Sequence, residues 1–190
     1  MTDTVKQPAL IDESAKFRLQ KLHQAVFWCS MRGSPHHWIT SYAFADGIVE
    51  VDGGRYAGIS LDMFQPVAHK NQPPGENKNL FGTLRFGARK ENVLMSKNPA
   101  FMVMLAFKTK ITVQELYNLV VGNKLHLYQY SPAGSGCMYW QSQLLKKFVV
   151  KGWLAQEDLA KLFKSLEAYA KQKGSQAVPY PPVEGKYYNI

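Results

Sequence analysis

The chain of 190 residues has only two cysteines, Cys29 and Cys137, which excludes a disulfide framework and fits a reducing, cytoplasmic compartment. No apolar run is long enough to cross a bilayer; the longest, residues 101–107, has the length of one strand. Residues 1–20 are polar and mixed in charge, without the apolar stretch of a secretory signal. The histidines are scattered rather than spaced as zinc ligands, and no Gly-x-Gly-x-x-Gly or P-loop pattern offers a phosphate cradle. Ser131 and Ser135 lack the setting of a nucleophile elbow. No metal, cofactor or membrane partner is therefore expected. Acidic residues are also few, 14 against 23 Lys and Arg, for a formal net charge of +9. The basic residues run from Lys6 to Lys186 without forming a block, and their densest stretch, residues 146–173, reads as the outer face of helices. Such dispersion argues for a solvated surface over a nucleic-acid site, and it also suits an anionic substrate.

Apolar residues make up 46% of the chain, aromatic residues 13% and charged residues only 19%, which together describe one domain with a sizeable core. Residues 1–14 read as a flexible tail and residues 15–175 as a single α+β domain. Residues 176–190, with three prolines and three tyrosines, read as an irregular tail that can pack on the body. Period-two patterns predict strands over residues 25–30, 37–44, 48–51, 58–64 and 80–86. In the second of these, Trp38, Thr40, Tyr42 and Phe44 share one face, while His37, Ile39, Ser41 and Ala43 share the other. A turn is expected at 31–35 and an exposed loop at 66–79. Residues 100–107 are apolar on both faces and predict a central, doubly buried strand.

The period changes in the last third. Thr112-Val113-Gln114-Glu115 has the form of a capping box opening a helix that stops at Gly122. A strand at 125–130 and two further helices, from Cys137 to about 150 and from about 156 to 173, complete the pattern. Strands first and helices later predict an antiparallel sheet packed by C-terminal helices.

Ser131-Pro132-Ala133-Gly134-Ser135-Gly136-Cys137 is a small-residue loop delivering a cysteine to the first turn of a helix. Free N–H groups and the positive end of the dipole favour a thiolate there, the reactive form of the side chain. The Cys137 N–H can also donate to an oxyanion. The competing reading is core, because Cys137, Trp140, Gln141, Leu144 and Phe148 recur at helical spacing on an apolar stripe. A nucleophilic thiol needs an imidazole, and His37 is the preferred base, with His36 the fallback. Asp62, an acid within the apolar run Ile59-Ser60-Leu61-Asp62-Met63, is the group best placed to orient that imidazole. Other readings of Asp62 and His37 are an outward-facing strand carboxylate and a strand-edge histidine.

Residues 112–154 resemble the C-terminal part of circularly permuted papain-like thiol enzymes, the group of PPPDE peptidases and the lecithin:retinol acyltransferase family. Leu127-Tyr128-Gln129-Tyr130, Cys137 and the upstream His37-Trp38 take the places of that group's strand, nucleophile and histidine, although Gly136 stands where the peptidases have Asn. Residues 37–154 are also similar to an uncharacterised fungal protein family with a His-Trp strand, an aspartate-bearing strand and a Gly-Cys-Arg-Phe-Trp helix start. Gly136-Cys137-Met138-Tyr139-Trp140 is similar to that helix start, with Met138 in place of the arginine and Tyr139 in place of the phenylalanine. The first resemblance implies a permuted papain-like fold and a thiol–imidazole dyad. The second allows a setting in secondary metabolism.

Together these readings lead to a thiol-dependent hydrolase or acyl transferase with catalytic residues Cys137, His37 and Asp62. Its substrate would be an amide, ester or thioester of a small, apolar or aromatic molecule. The alternatives are a non-catalytic ligand- or partner-binding domain, and a cyclase or isomerase using the same pocket without a covalent step.

Overall fold

A computed structural model of the chain describes residues 9–30, 35–65 and 80–188. The expected turn at 31–35, except Pro35, and the expected loop at 66–79 lie outside them. Among these residues nine strands form, β1 (Leu10–Asp12), β2 (Lys21–Ser30), β3 (Trp38–Phe44), β4 (Val49–Val51), β5 (Gly54–Phe64), β6 (Thr83–Lys90), β7 (Pro99–Thr112), β8 (Tyr128–Gln129) and β9 (Lys186–Tyr187). Three helices follow the main sheet, α1 (Val113–Gly122), α2 (Cys137–Val150) and α3 (Gln156–Lys173). The fold is α+β, as the pattern of strands then helices predicts.

The main sheet runs β1-β6-β5-β3-β2-β7, with β4 added to β5, and every pair is antiparallel except β1 with β6. The sheet therefore starts at Leu10, upstream of the boundary expected at residue 15. At the other end, β9 pairs with β8 and ties the C-terminal segment to the body.

Alternation places Trp38, Thr40, Tyr42 and Phe44 on the face that receives the helices, and all four are buried. The Tyr42 ring meets Phe148 of α2 edge-on at 6.0 Å, and the Trp38 ring meets Tyr169 of α3 at 6.4 Å. Burying an aromatic side chain of this size contributes about 2–3 kcal/mol. Ser41, on the opposite face, is buried too, where its hydroxyl accepts a hydrogen bond from Trp28 Nε1 at 3.0 Å. The capping box forms as its residue types require: Thr112 Oγ1 accepts from the Glu115 N–H at 3.1 Å, and Glu115 Oε2 accepts from the Thr112 N–H at 2.7 Å.

The strand expected to be central is instead an edge. Among the described residues β7 pairs with β2 alone, and its outward Met102 and Met104 are 39% and 63% exposed. Its inward residues pack over the helices, with Phe101 5.0 Å from the Tyr169 ring. Two-sided apolarity arises here from methionines on an open face, not from a second covering layer. The edge is partly closed by Trp153, whose carbonyl accepts from the Lys108 N–H at 2.8 Å. The strand expected at 125–130 is also shorter, because residues 123–127 turn.

Candidate functional site

His37 immediately precedes β3, at the end of the sheet where β3 and β5 lie side by side. The register that pairs Thr40 with Leu61 makes Asp62 the diagonal neighbour of His37 on the same face, a separation that long side chains bridge. His37 Nε2 and Asp62 Oδ1 are 2.6 Å apart, with the two side chains 35% and 21% exposed.

Cys137 reaches the same place from the other layer. It opens α2 directly after Gly136, whose φ of +151° lies in a region that L residues avoid. A Cβ there would meet the Tyr128 hydroxyl at 2.6 Å, so only glycine fits this entry. Among the described residues, no side chain caps the helix start at Gly136, so the first-turn N–H groups are left without a capping partner. The thiol donates to the His36 carbonyl at 3.9 Å and is close enough to the His37 imidazole to act on it electrostatically. His37 thus stands between Asp62 and Cys137.

Electrostatics follow from this arrangement. Burial works against the imidazolium, but the polar and coulombic interactions with Asp62 and Cys137 outweigh it, raising the His37 pKa to about 10. The part-buried Arg89 guanidinium interacts with Asp62 from β6, and its Nε donates to the Leu94 carbonyl at 3.2 Å. Tyr130 is fully buried, which pushes its phenol well above 10; the nearby Cys137 and Asp62 add to the effect.

The two cysteines differ sharply. Cys29 is fully buried in the core, and burial pushes its thiol up to about 12, whereas Cys137 is half-buried. The apolar stripe expected on α2 does form, with Trp140, Leu144 and Phe148 fully buried, but Cys137 sits at its open end. His36, the fallback base, turns elsewhere: its N–H donates to the Ala177 carbonyl at 2.9 Å and its ring centroid is 6.1 Å from that of Tyr169.

Two residues that build the site were not singled out from the sequence. Tyr128 Oη donates to the Gly136 carbonyl at 3.0 Å, and Tyr130 Oη donates to the Met63 carbonyl at 2.5 Å. The rings pack edge to face, 5.5 Å apart, so one tyrosine pair binds the backbone beside Cys137 and the backbone beside Asp62. Their signal was the Tyr-x-Tyr spacing, which places both rings on one side of an extended segment.

Among the described residues, no cluster of three or more His, Cys, Asp or Glu is arranged to hold a metal ion. Among the same residues, no helix is long and apolar enough to cross a membrane. A groove lined by Ala170, Gly174, Val178 and Tyr180 lies beside the C-terminal segment, with none of Cys137, His37 or Asp62 on its walls.

A sheet packed by helices, with a thiol, an imidazole and a carboxylate meeting at the sheet's end, describes the architecture. The sequence matches a family model described as Domain of unknown function (DUF7770) over residues 51–188, and the chain belongs to that uncharacterised family. The matched span includes Asp62, Tyr128, Tyr130 and Cys137. No curated protein and no solved structure matches the chain.

Proposed function

We propose that Cys137, His37 and Asp62 are the catalytic residues of a thiol-dependent hydrolase or acyl transferase acting on an ester, thioester or amide of a small molecule. One observation carries this reading: the His37 imidazole meets a carboxylate at 2.6 Å, and the thiol that opens α2 lies against the backbone carbonyl of the preceding residue, His36, at 3.9 Å. In the first step the thiol proton passes to His37, and the sulfur attacks the substrate carbonyl carbon. The C=O electron pair moves to oxygen, and the Cys137 N–H at the uncapped helix start stabilises that oxyanion. Collapse expels the leaving group, which takes the proton from His37, and an acyl-thioester remains on Cys137. His37 then removes a proton from water or an amine, which attacks the thioester and releases the thiolate. Asp62 holds the ring orientation and stabilises the imidazolium throughout.

The order of histidine before cysteine along the chain is what a permuted papain-like arrangement implies, and that relationship belongs to the same proposal. So do an apolar or aromatic substrate, a cytoplasmic location and a role in secondary metabolism. The experiment is turnover of p-nitrophenyl esters of short and aromatic acids by the wild type, Cys137→Ala and His37→Ala. Loss of hydrolysis in both variants supports a covalent mechanism. Activity surviving Cys137→Ala assigns the pocket to non-covalent chemistry instead.

A further inference from the structure

Gln141 lies one helical turn beyond Cys137, on the same side of α2, and is fully buried. Sequence alone places it within an apolar stripe, where a primary amide is costly unless all its hydrogen-bonding groups are used. They are used here on two strands at once. Gln141 Nε2 donates to the Leu61 carbonyl at 2.9 Å and to the Trp38 carbonyl at 3.5 Å. Its Oε1 accepts from Thr40 Oγ1 at 2.7 Å, which fixes the amide with its nitrogen toward the two carbonyls. Leu61 is the residue before Asp62, and Trp38 is the residue after His37.

We propose that Gln141 is a positioning residue for the thiol–imidazole pair: its amide pins α2, and with it Cys137, to the backbone beside His37 and beside Asp62. The inference rests on the reading of Cys137 and His37 as a reactive pair. Apolar contacts from Leu144 and Phe148 hold the helix against the sheet but are not directional, so they fix its distance better than its position along the strands. The amide supplies that direction, at the turn nearest the thiol. Together with the two tyrosines, which tie Gly136 and Met63, it leaves the backbone on both sides of Asp62 tied down.

The test is a double-mutant cycle on the rate at which iodoacetamide alkylates Cys137 at pH 7, with the site of modification read by peptide mass spectrometry. Cys29, fully buried, is the internal control for the folded state. In the wild type, His37→Ala should slow alkylation about tenfold, the effect of about one pKa unit on the thiolate population. In Gln141→Met, which conserves volume and removes the amide, the same His37→Ala change should slow it less than about twofold, because the pair is already out of register. Full His37 dependence in a folded Gln141→Met protein overturns the inference while leaving the dyad intact. No His37 dependence in the wild type overturns the dyad itself. If Gln141→Met loses its cooperative unfolding transition, Thr40→Val carries the same test with the same two outcomes, since it removes only the hydroxyl that orients the amide.

Discussion

Replacing Asp62 with Asn keeps the shape of the His37 partner and removes its charge. The magnitude follows from the geometry. An imidazole raised from an ordinary 6.5 to about 10 would, at about 1.4 kcal/mol per pH unit, stabilise the fold by about 5 kcal/mol in full. With the side chain 35% exposed, solvent screening reduces this to about 1–3 kcal/mol, shared between Asp62 and Cys137. Because the folded pKa lies above the unfolded one, this contribution is fully present below about pH 6.5 and is lost as pH rises to about 10. Urea unfolding of the wild type and Asp62→Asn between pH 6 and pH 10.5 is the assay. The stability gap should be widest near pH 6 and narrow by about 1–2 kcal/mol toward pH 10.5. A gap independent of pH would refute the reasoning, because Asp62 would then act only through neutral hydrogen bonding or through Arg89.

Gly136→Ala should lower stability by about 2–4 kcal/mol in thermal unfolding, since it combines a positive φ with a Cβ placed against the Tyr128 hydroxyl. Tyr130→Phe leaves the Met63 carbonyl without its phenol donor and should cost about 1–3 kcal/mol by denaturant unfolding. On β7, Met104→Ala should change stability by less than about 0.5 kcal/mol, whereas Leu105→Ala on the buried face should cost about 2–5 kcal/mol. Equal costs at the two positions would contradict the open outer face of β7.

Local chemistry was legible where short-range rules decide. The Thr112–Glu115 capping box, the start of α2 at Cys137 and the shared face of Trp38, Thr40, Tyr42 and Phe44 follow from residue type and spacing alone. Strand order was not legible. β7 looks doubly buried because Met102 and Met104 are apolar, and nothing in their spacing says that β7 lies at the edge of the described sheet. The parallel pairing of β1 with β6 likewise depends on a contact distant in sequence, so the first strand read as tail. At the site, Asp62 stood out as an acid in an apolar strand, and its proximity to His37 follows from register, which a single sequence does not print. Gln141, Tyr128 and Tyr130 were hidden because their polar atoms serve backbone carbonyls, and carbonyls leave no mark in side-chain patterns.

The central claim is that Cys137 attacks a carbonyl with His37 as its proton partner. Mixing the protein with a p-nitrophenyl ester under single-turnover conditions and mapping the adduct by peptide mass spectrometry tests this directly. The account predicts a burst of nitrophenolate matched by an acyl group on Cys137, both strongly reduced in His37→Ala. An unacylated Cys137, or acylation indifferent to His37, would contradict it.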